Sequence, residues 1–113
     1  MSDLREQAQH QLDAVRRDFE ARLGGIVDEI VDAWNTARAA SDEAAVLESL
    51  AQLVHRLAGN AGFFGLKEVS RTASDLESAL ERQIAAASRD GNDLREVGRL
   101  VRNLQTLSAG GCP

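Results

Sequence analysis

The stretch LVHRLAGNAGFFG, Leu53 to Gly65, places Gly59, Gly62 and Gly65 within ten residues after a histidine, His55. Around it the chain reads as helix. Leu47, Leu50, Val54, Leu57 and Ala61 recur at spacings of three and four, which defines one apolar stripe. Glycine inside a helix costs about 0.5–1 kcal/mol relative to alanine, so its presence needs a reason. Each residue advances about 100° around a helix. His55 therefore lies off the apolar stripe, on a face built from Glu48, Gln52, His55, Gly59 and Gly62. Gly59 leaves the turn after the ring bare, Gly62 extends the bare patch, and Ala58 one turn away is small. The pattern is a clearing through which a bulky group reaches the imidazole. A core histidine would be closely packed. A metal site would need further ligands at metal-binding spacing, and there is neither a CxxC nor an HxxxH pattern.

Working outward, the breakers fall at Gly24-Gly25, at the AASDE stretch near Ser41 and Asp42, at GFFG from Gly62 to Gly65, and at RDGND around Gly91. The only proline is Pro113, so nothing internal forbids long helices. The first helix is expected over about Asp3–Ala40, with Leu12, Val15, Phe19, Leu23, Ile26, Val27, Ile30, Val31 and Trp34 on its buried stripe. Gly24-Gly25 would kink or hinge it, and residues 1–14 form a loose polar arm. The second helix starts at Ser41 or Asp42, both good caps. The third runs over about Leu66–Ser88 with Val69, Ala73, Leu76, Leu80 and Ile84 inward. The fourth starts at Asn92 or Asp93, where Asp93 and Glu96 resemble a capping box, and buries Val97, Leu100, Val101, Leu104 and Leu107. Short connections imply antiparallel neighbours. The expected fold is all-α: an antiparallel up-down-up-down four-helix bundle with an extended or kinked N-terminal helix. It spans residues 1–113 as one domain, and residues 109–113 form a flexible tail.

Composition narrows the function. The chain has 113 residues, a formal net charge of −5 and 43% hydrophobic residues, the size of one domain with one core. An acidic balance argues against a nucleic-acid partner, which needs a basic footprint. One cysteine, Cys112, makes no internal disulfide and points to a reducing compartment. The N-terminus lacks an apolar signal core, and no run approaches the ~18 apolar residues of a membrane span. A cytoplasmic protein without membrane attachment is expected. There is no P-loop, Gly-rich kinase loop or Walker lysine, so any ATP-dependent chemistry would belong to a partner. By itself the chain would then not be a kinase.

If the third helix folds back at residue 66, His55 lies eleven residues before the turn and Glu77 eleven after it. The two fall at similar height. Glu77, beside the core residue Leu76, can accept a hydrogen bond from one ring nitrogen and leave the other free. Ser70, Ser74 and Glu81 share this face. An accessible imidazole so oriented can attack phosphorus and carry a phosphoryl group on nitrogen. The competing bland readings are an ordinary surface His55 and a merely solvated Glu77. His10 lies in a polar segment and Trp34 on a core stripe. Phe63 and Phe64 are placed to cap the end of the bundle.

The stretch resembles the histidine-containing phosphotransfer (HPt) family. That family's pattern is a His, then Leu two later, usually Lys three later, Gly four later and Gly ten later. His55, Leu57, Gly59 and Gly65 match, and Ala58 departs. Leu76-Glu77 falls where the family tends to carry a leucine followed by Glu or Gln. The resemblance implies that His55 is the phosphoacceptor, that Glu77 orients its ring, and that Gly59 gives access. Arg56, Ala58, Asn60, Gly62, Lys67 and Ser74 would surround the phosphoryl group, with Arg56 or Lys67 standing in for the missing lysine. It further implies response-regulator receiver domains as partners, and a hybrid histidine kinase among the sources of phosphate. The receiver would bring Mg²⁺ with its aspartyl phosphate, and the chain itself would hold no cofactor or metal. The phosphoryl group would pass from one receiver to His55 and on to another. The alternatives are a non-catalytic helical adaptor that binds a receiver, and a phosphoacceptor fragment of a chemotaxis-type histidine kinase.

Overall fold

A computed structural model describes residues 2–39, 44–85 and 91–109. They form four helices, α1 (Ser2–Ala39), α2 (Ala44–Phe63), α3 (Lys67–Ala85) and α4 (Gly91–Ala109), and no strand occurs among the described residues. Each helix packs on two others: α2 on α3 most extensively, then α3 on α4, with α1 closing the ring against α2 and α4. The core is the set of apolar stripes turned inward. Phe19, Leu23, Val27, Ile30 and Trp34 come from α1, and Leu47, Leu50, Val54, Leu57 and Ala61 from α2. Val69, Ala73, Leu76 and Leu80 come from α3, and Val97, Leu100, Val101 and Leu104 from α4. Ile26, Val31, Ile84 and Leu107 are only partly buried at its margin.

Two residues expected in the core are not there. Leu12 is 48% exposed and Val15 53% exposed. The reason is length. α1 has 38 residues, about 57 Å at 1.5 Å per residue, whereas the other helices have 19 or 20 and reach about 30 Å. The 60 Å long dimension of the molecule is therefore that of α1 alone. The covered part of its stripe begins at Phe19, where the ring stacks on Phe64 from the turn after α2 (centroids 5.2 Å apart). Phe64 in turn meets Phe63 edge to face, leaving Phe63 72% exposed. Gly24 and Gly25 do not interrupt α1, and added Cβ atoms there would meet nothing within 4 Å.

α4 begins at Gly91, before the expected start. Arg99, one turn further on, donates to Glu96 at 3.1 Å. That bond, aided by the guanidinium charge, holds the Glu96 carboxyl below the ordinary carboxylate range. The expected caps Ser41 and Asp42, the side chain of Asp93, and Cys112 lie outside the described residues.

Among the described residues one core position is polar. Gln83 is 1% exposed, and neither its amide nitrogen nor its oxygen has a hydrogen-bond partner. A buried, unpaired polar group forfeits about 1–3 kcal/mol of hydration without compensation. Gln83→Met keeps the length and removes both orphans, so it should raise the unfolding free energy by about 1 kcal/mol. Urea denaturation of the two proteins measures this, and a loss of stability would show that the amide is satisfied in solution.

Candidate functional site

The chain reverses after α2 by backbone chemistry alone. The Leu66 N–H donates to the Ala61 carbonyl at 2.8 Å and the Gly65 N–H to the Gly62 carbonyl at 3.1 Å. These paired bonds satisfy the last carbonyls of α2, and they require a left-handed residue between helix and exit. Gly65 supplies it with φ of 78°. Leu66 packs on the core, and its carbonyl takes the first helical bond of α3 from the Ser70 N–H at 2.9 Å.

Beyond the turn the two helices lie against each other. Ser70 Oγ donates to the Ala58 carbonyl at 2.9 Å. A Cβ added at Gly62 would stand 3.1 Å from that Oγ. Gly62 therefore marks a close approach of α3 and does not extend open space, as the sequence had suggested. Rising numbers on α2 meet falling numbers on α3: Ala58 and Gly62 against Ser70, and His55 against Glu77.

His55 Nδ1 lies 2.8 Å from Glu77 Oε2. An ionised carboxylate only accepts, so Nδ1 carries the proton and donates. The pair is asymmetric in exposure: the His55 side chain is 72% exposed and that of Glu77 23%. The acceptor is thus partly enclosed between the helices, while the ring stands out in solvent with Nε2 directed away from the bond. A Cβ at Gly59 would meet nothing within 4 Å, so the turn after the ring is open. On the other side of His55 an open groove runs between α2 and α3. Glu48, Gln52, Arg56, Glu77 and Glu81 line it over an apolar base of Ala51 and Ile84. Among the described residues Arg56 is its one guanidinium, set among three carboxylates.

The remaining expected neighbours divide. Ser74 is exposed one turn before Glu77 on the same face of α3. Ala58 is 9% exposed and belongs to the core. It follows Val54 by four and precedes Ala61 by three, which places its methyl on the apolar stripe and not in the clearing. Lys67 opens α3, ten residues and about 15 Å along the axis from Glu77, too far to reach the ring's surroundings directly. Asn60 is exposed on α2 but rotated about 140° from His55. Sequence reasoning missed the part played by Ser70. Its signal was present in the small residue opposite it, Gly62. Among the described residues no group of three or more His, Cys, Asp or Glu side chains is placed to hold a metal ion.

Compared with known families, the chain matches the model of the Hpt domain over residues 1–110. No curated protein matches it, and no solved structure does.

The glycines separate by stability. Gly59→Ala meets no atom and should gain about 0.5–1 kcal/mol from helix propensity. Gly62→Ala should fall short of that by about 1 kcal/mol, since Ser70 must give way, and Gly65→Ala should lose about 1–2 kcal/mol at its left-handed φ. Thermal or chemical denaturation ranks the three. Equal effects at positions 59 and 62 would show that Ser70 does not press on Gly62.

Proposed function

The chain belongs to the Hpt domain family, whose members work in histidine phosphotransfer within phosphorelays of two-component signalling, and on that basis we propose that His55 is its phosphoacceptor. The observation that carries this reading is the 2.8 Å contact of His55 Nδ1 with Glu77 on a ring that is otherwise exposed. Glu77 holds the proton on Nδ1, so the Nε2 lone pair is the nucleophile. As the bond from phosphorus to an aspartyl oxygen of the donor breaks, the bond to Nε2 forms. The carboxylate leaves as an anion, and the positive charge gained by the imidazole sits against Glu77. Reversal of the same displacement delivers the phosphoryl group to the next acceptor. The bare turn at Gly59 admits the donor.

Hpt domains work with receiver domains of response regulators and with histidine kinases. The proposed partners are receivers on both sides of the transfer, with a hybrid histidine kinase upstream. Magnesium would be bound by the receiver and would neutralise phosphoryl oxygens there; this chain contributes the ring, its orientation and the docking face. Since Ala58 is in the core and Lys67 is distant, Arg56 is the side chain of this chain nearest to serving as phosphate counter-charge. The opposed numbering of α2 and α3 supports an antiparallel, up-down-up-down order for the bundle. Residues 1–113 act as one domain with an N-terminal arm at 1–14; of the tail expected at 109–113, Ala109 belongs to α4 and residues 110–113 lie outside the described residues. No helix among the described residues is long and apolar enough to cross a membrane, in keeping with a cytoplasmic relay protein.

Phosphotransfer from a purified phosphorylated receiver domain tests the proposal. Wild type should take up label that is acid-labile and alkali-stable, and His55→Gln should take up none. Glu77→Ala should slow transfer about tenfold, the equivalent of ~1.4 kcal/mol for a ring free to rotate. Gly59→Gln should obstruct transfer while leaving helicity near normal. Undiminished labelling of His55→Gln would remove His55 from the reaction.

A further inference from the structure

The apolar stripe of α1 does not stop where the bundle stops covering it. Leu4, Val15 and Ile26 are spaced by eleven, as are Ala8, Phe19 and Ile30, and Leu12, Leu23 and Trp34. An eleven-residue repeat gives about 3.67 residues per turn, close to the period of the helix, so the stripe runs nearly straight along α1. From Phe19 onward it seats on α2 and α4. Before Phe19 the same face is bare: Leu4 is 75% exposed, Leu12 48% and Val15 53%. Phe63, 72% exposed, lies at the end of the bundle where this bare face begins.

We propose that the arm of α1 before Phe19 is a self-association surface, on which the arm of a second copy of this chain packs in antiparallel orientation. Three observations select that occupant. Polar side chains in the second half of the arm are turned along their own helix: Gln9 bonds Asp13, Arg16 bonds Glu20, Arg17 bonds the Asp13 carbonyl and Arg22 bonds Asp18. What the arm offers a partner is therefore its apolar stripe, and a helix with a like stripe is its complement. The charges of residues 3–18 nearly balance, Asp3, Glu6, Asp13 and Asp18 against Arg5, Arg16 and Arg17. A chain of net charge −5 thus meets its own copy over a segment whose own balance is only −1. Finally, the pairing is self-complementary. Set antiparallel, Leu4 of one arm is level with Val15 of the other and Ala8 falls within one residue of Leu12, while the two bundles lie at opposite ends. In a parallel pair the second bundle would fall on the first, because the same face of α1 points at its own bundle from Phe19 onward.

Two arms in contact over about 24 Å bury roughly 1,000 Å² in total, at the lower limit for a specific interface. The dimer is accordingly concentration-dependent. It leaves His55, more than two turns of α2 from the Phe63 end, outside the contact, and it holds whatever reaction His55 performs.

Sedimentation velocity of the full chain over about 1 µM to 1 mM tests this. The mass should rise from 12.2 kDa toward twice that value. Leu12→Lys combined with Val15→Lys should weaken the dimer at least tenfold with unchanged far-ultraviolet circular dichroism, and Leu4→Lys, further from the bundle, should weaken it alone. A single 12.2 kDa species at every concentration would overturn the proposal. So would a dimer that survives all three lysines, or an arm needed only for transfer from a receiver.

Discussion

The hydrogen bond between His55 Nδ1 and Glu77 is the contact on which the site depends. It joins two helices across 22 residues of sequence, so it exists only if α2 and α3 hold one register. Backbone and small residues set that register. Gly65 permits the reversal, Gly62 permits the approach of Ser70, and Ser70 ties α3 to the Ala58 carbonyl. A slip of one residue would carry Glu77 about 100° around its axis and leave the ring without an acceptor. The buried leucines of the same two helices, Leu50, Leu57, Leu76 and Leu80, oppose such a slip because it would turn them toward water.

The three glycines after His55 therefore serve three separate physical needs. Gly65 satisfies a backbone conformation and Gly62 a helix approach, while Gly59 has open space beside it and neither of those constraints. The penalty for glycine in a helix is offset at Gly62 by tighter packing of α2 on α3. At Gly59 nothing in the fold offsets it, which is what a residue kept for access would show. Among the described residues, the groove beside the ring is lined by Glu48, Glu77 and Glu81 with Arg56 as its one guanidinium.

Much of this was legible in the sequence. The 3.6-residue periodicity located four helices and most of their buried faces, because apolar burial is the dominant constraint on a small bundle. Equal spacing about residue 66 brought His55 and Glu77 to one height, since helical rise is uniform. What periodicity could not reveal was where a stripe loses its cover. Leu12 and Val15 belong to the same repeat as Leu23 and Ile26, and only the shorter lengths of the neighbouring helices separate them. Nor does a wheel distinguish a glycine beside empty space from one beside another helix, as Gly59 and Gly62 show. Ala58 was misplaced because it lies at the edge of the stripe, where 40° decides between core and surface. Gln83 sits at a core position that composition alone reads as polar.

Nitrogen-15 magnetic resonance of the His55 ring, before and after phosphorylation by phosphoramidate, bears most directly on the asymmetry between its two nitrogens. The expected spectrum shows a proton on Nδ1 in the free protein, and phosphorus coupled to Nε2 with that proton retained in the phosphorylated one. Phosphorus on Nδ1, or a free ring whose proton resides on Nε2, would contradict the role assigned to Glu77.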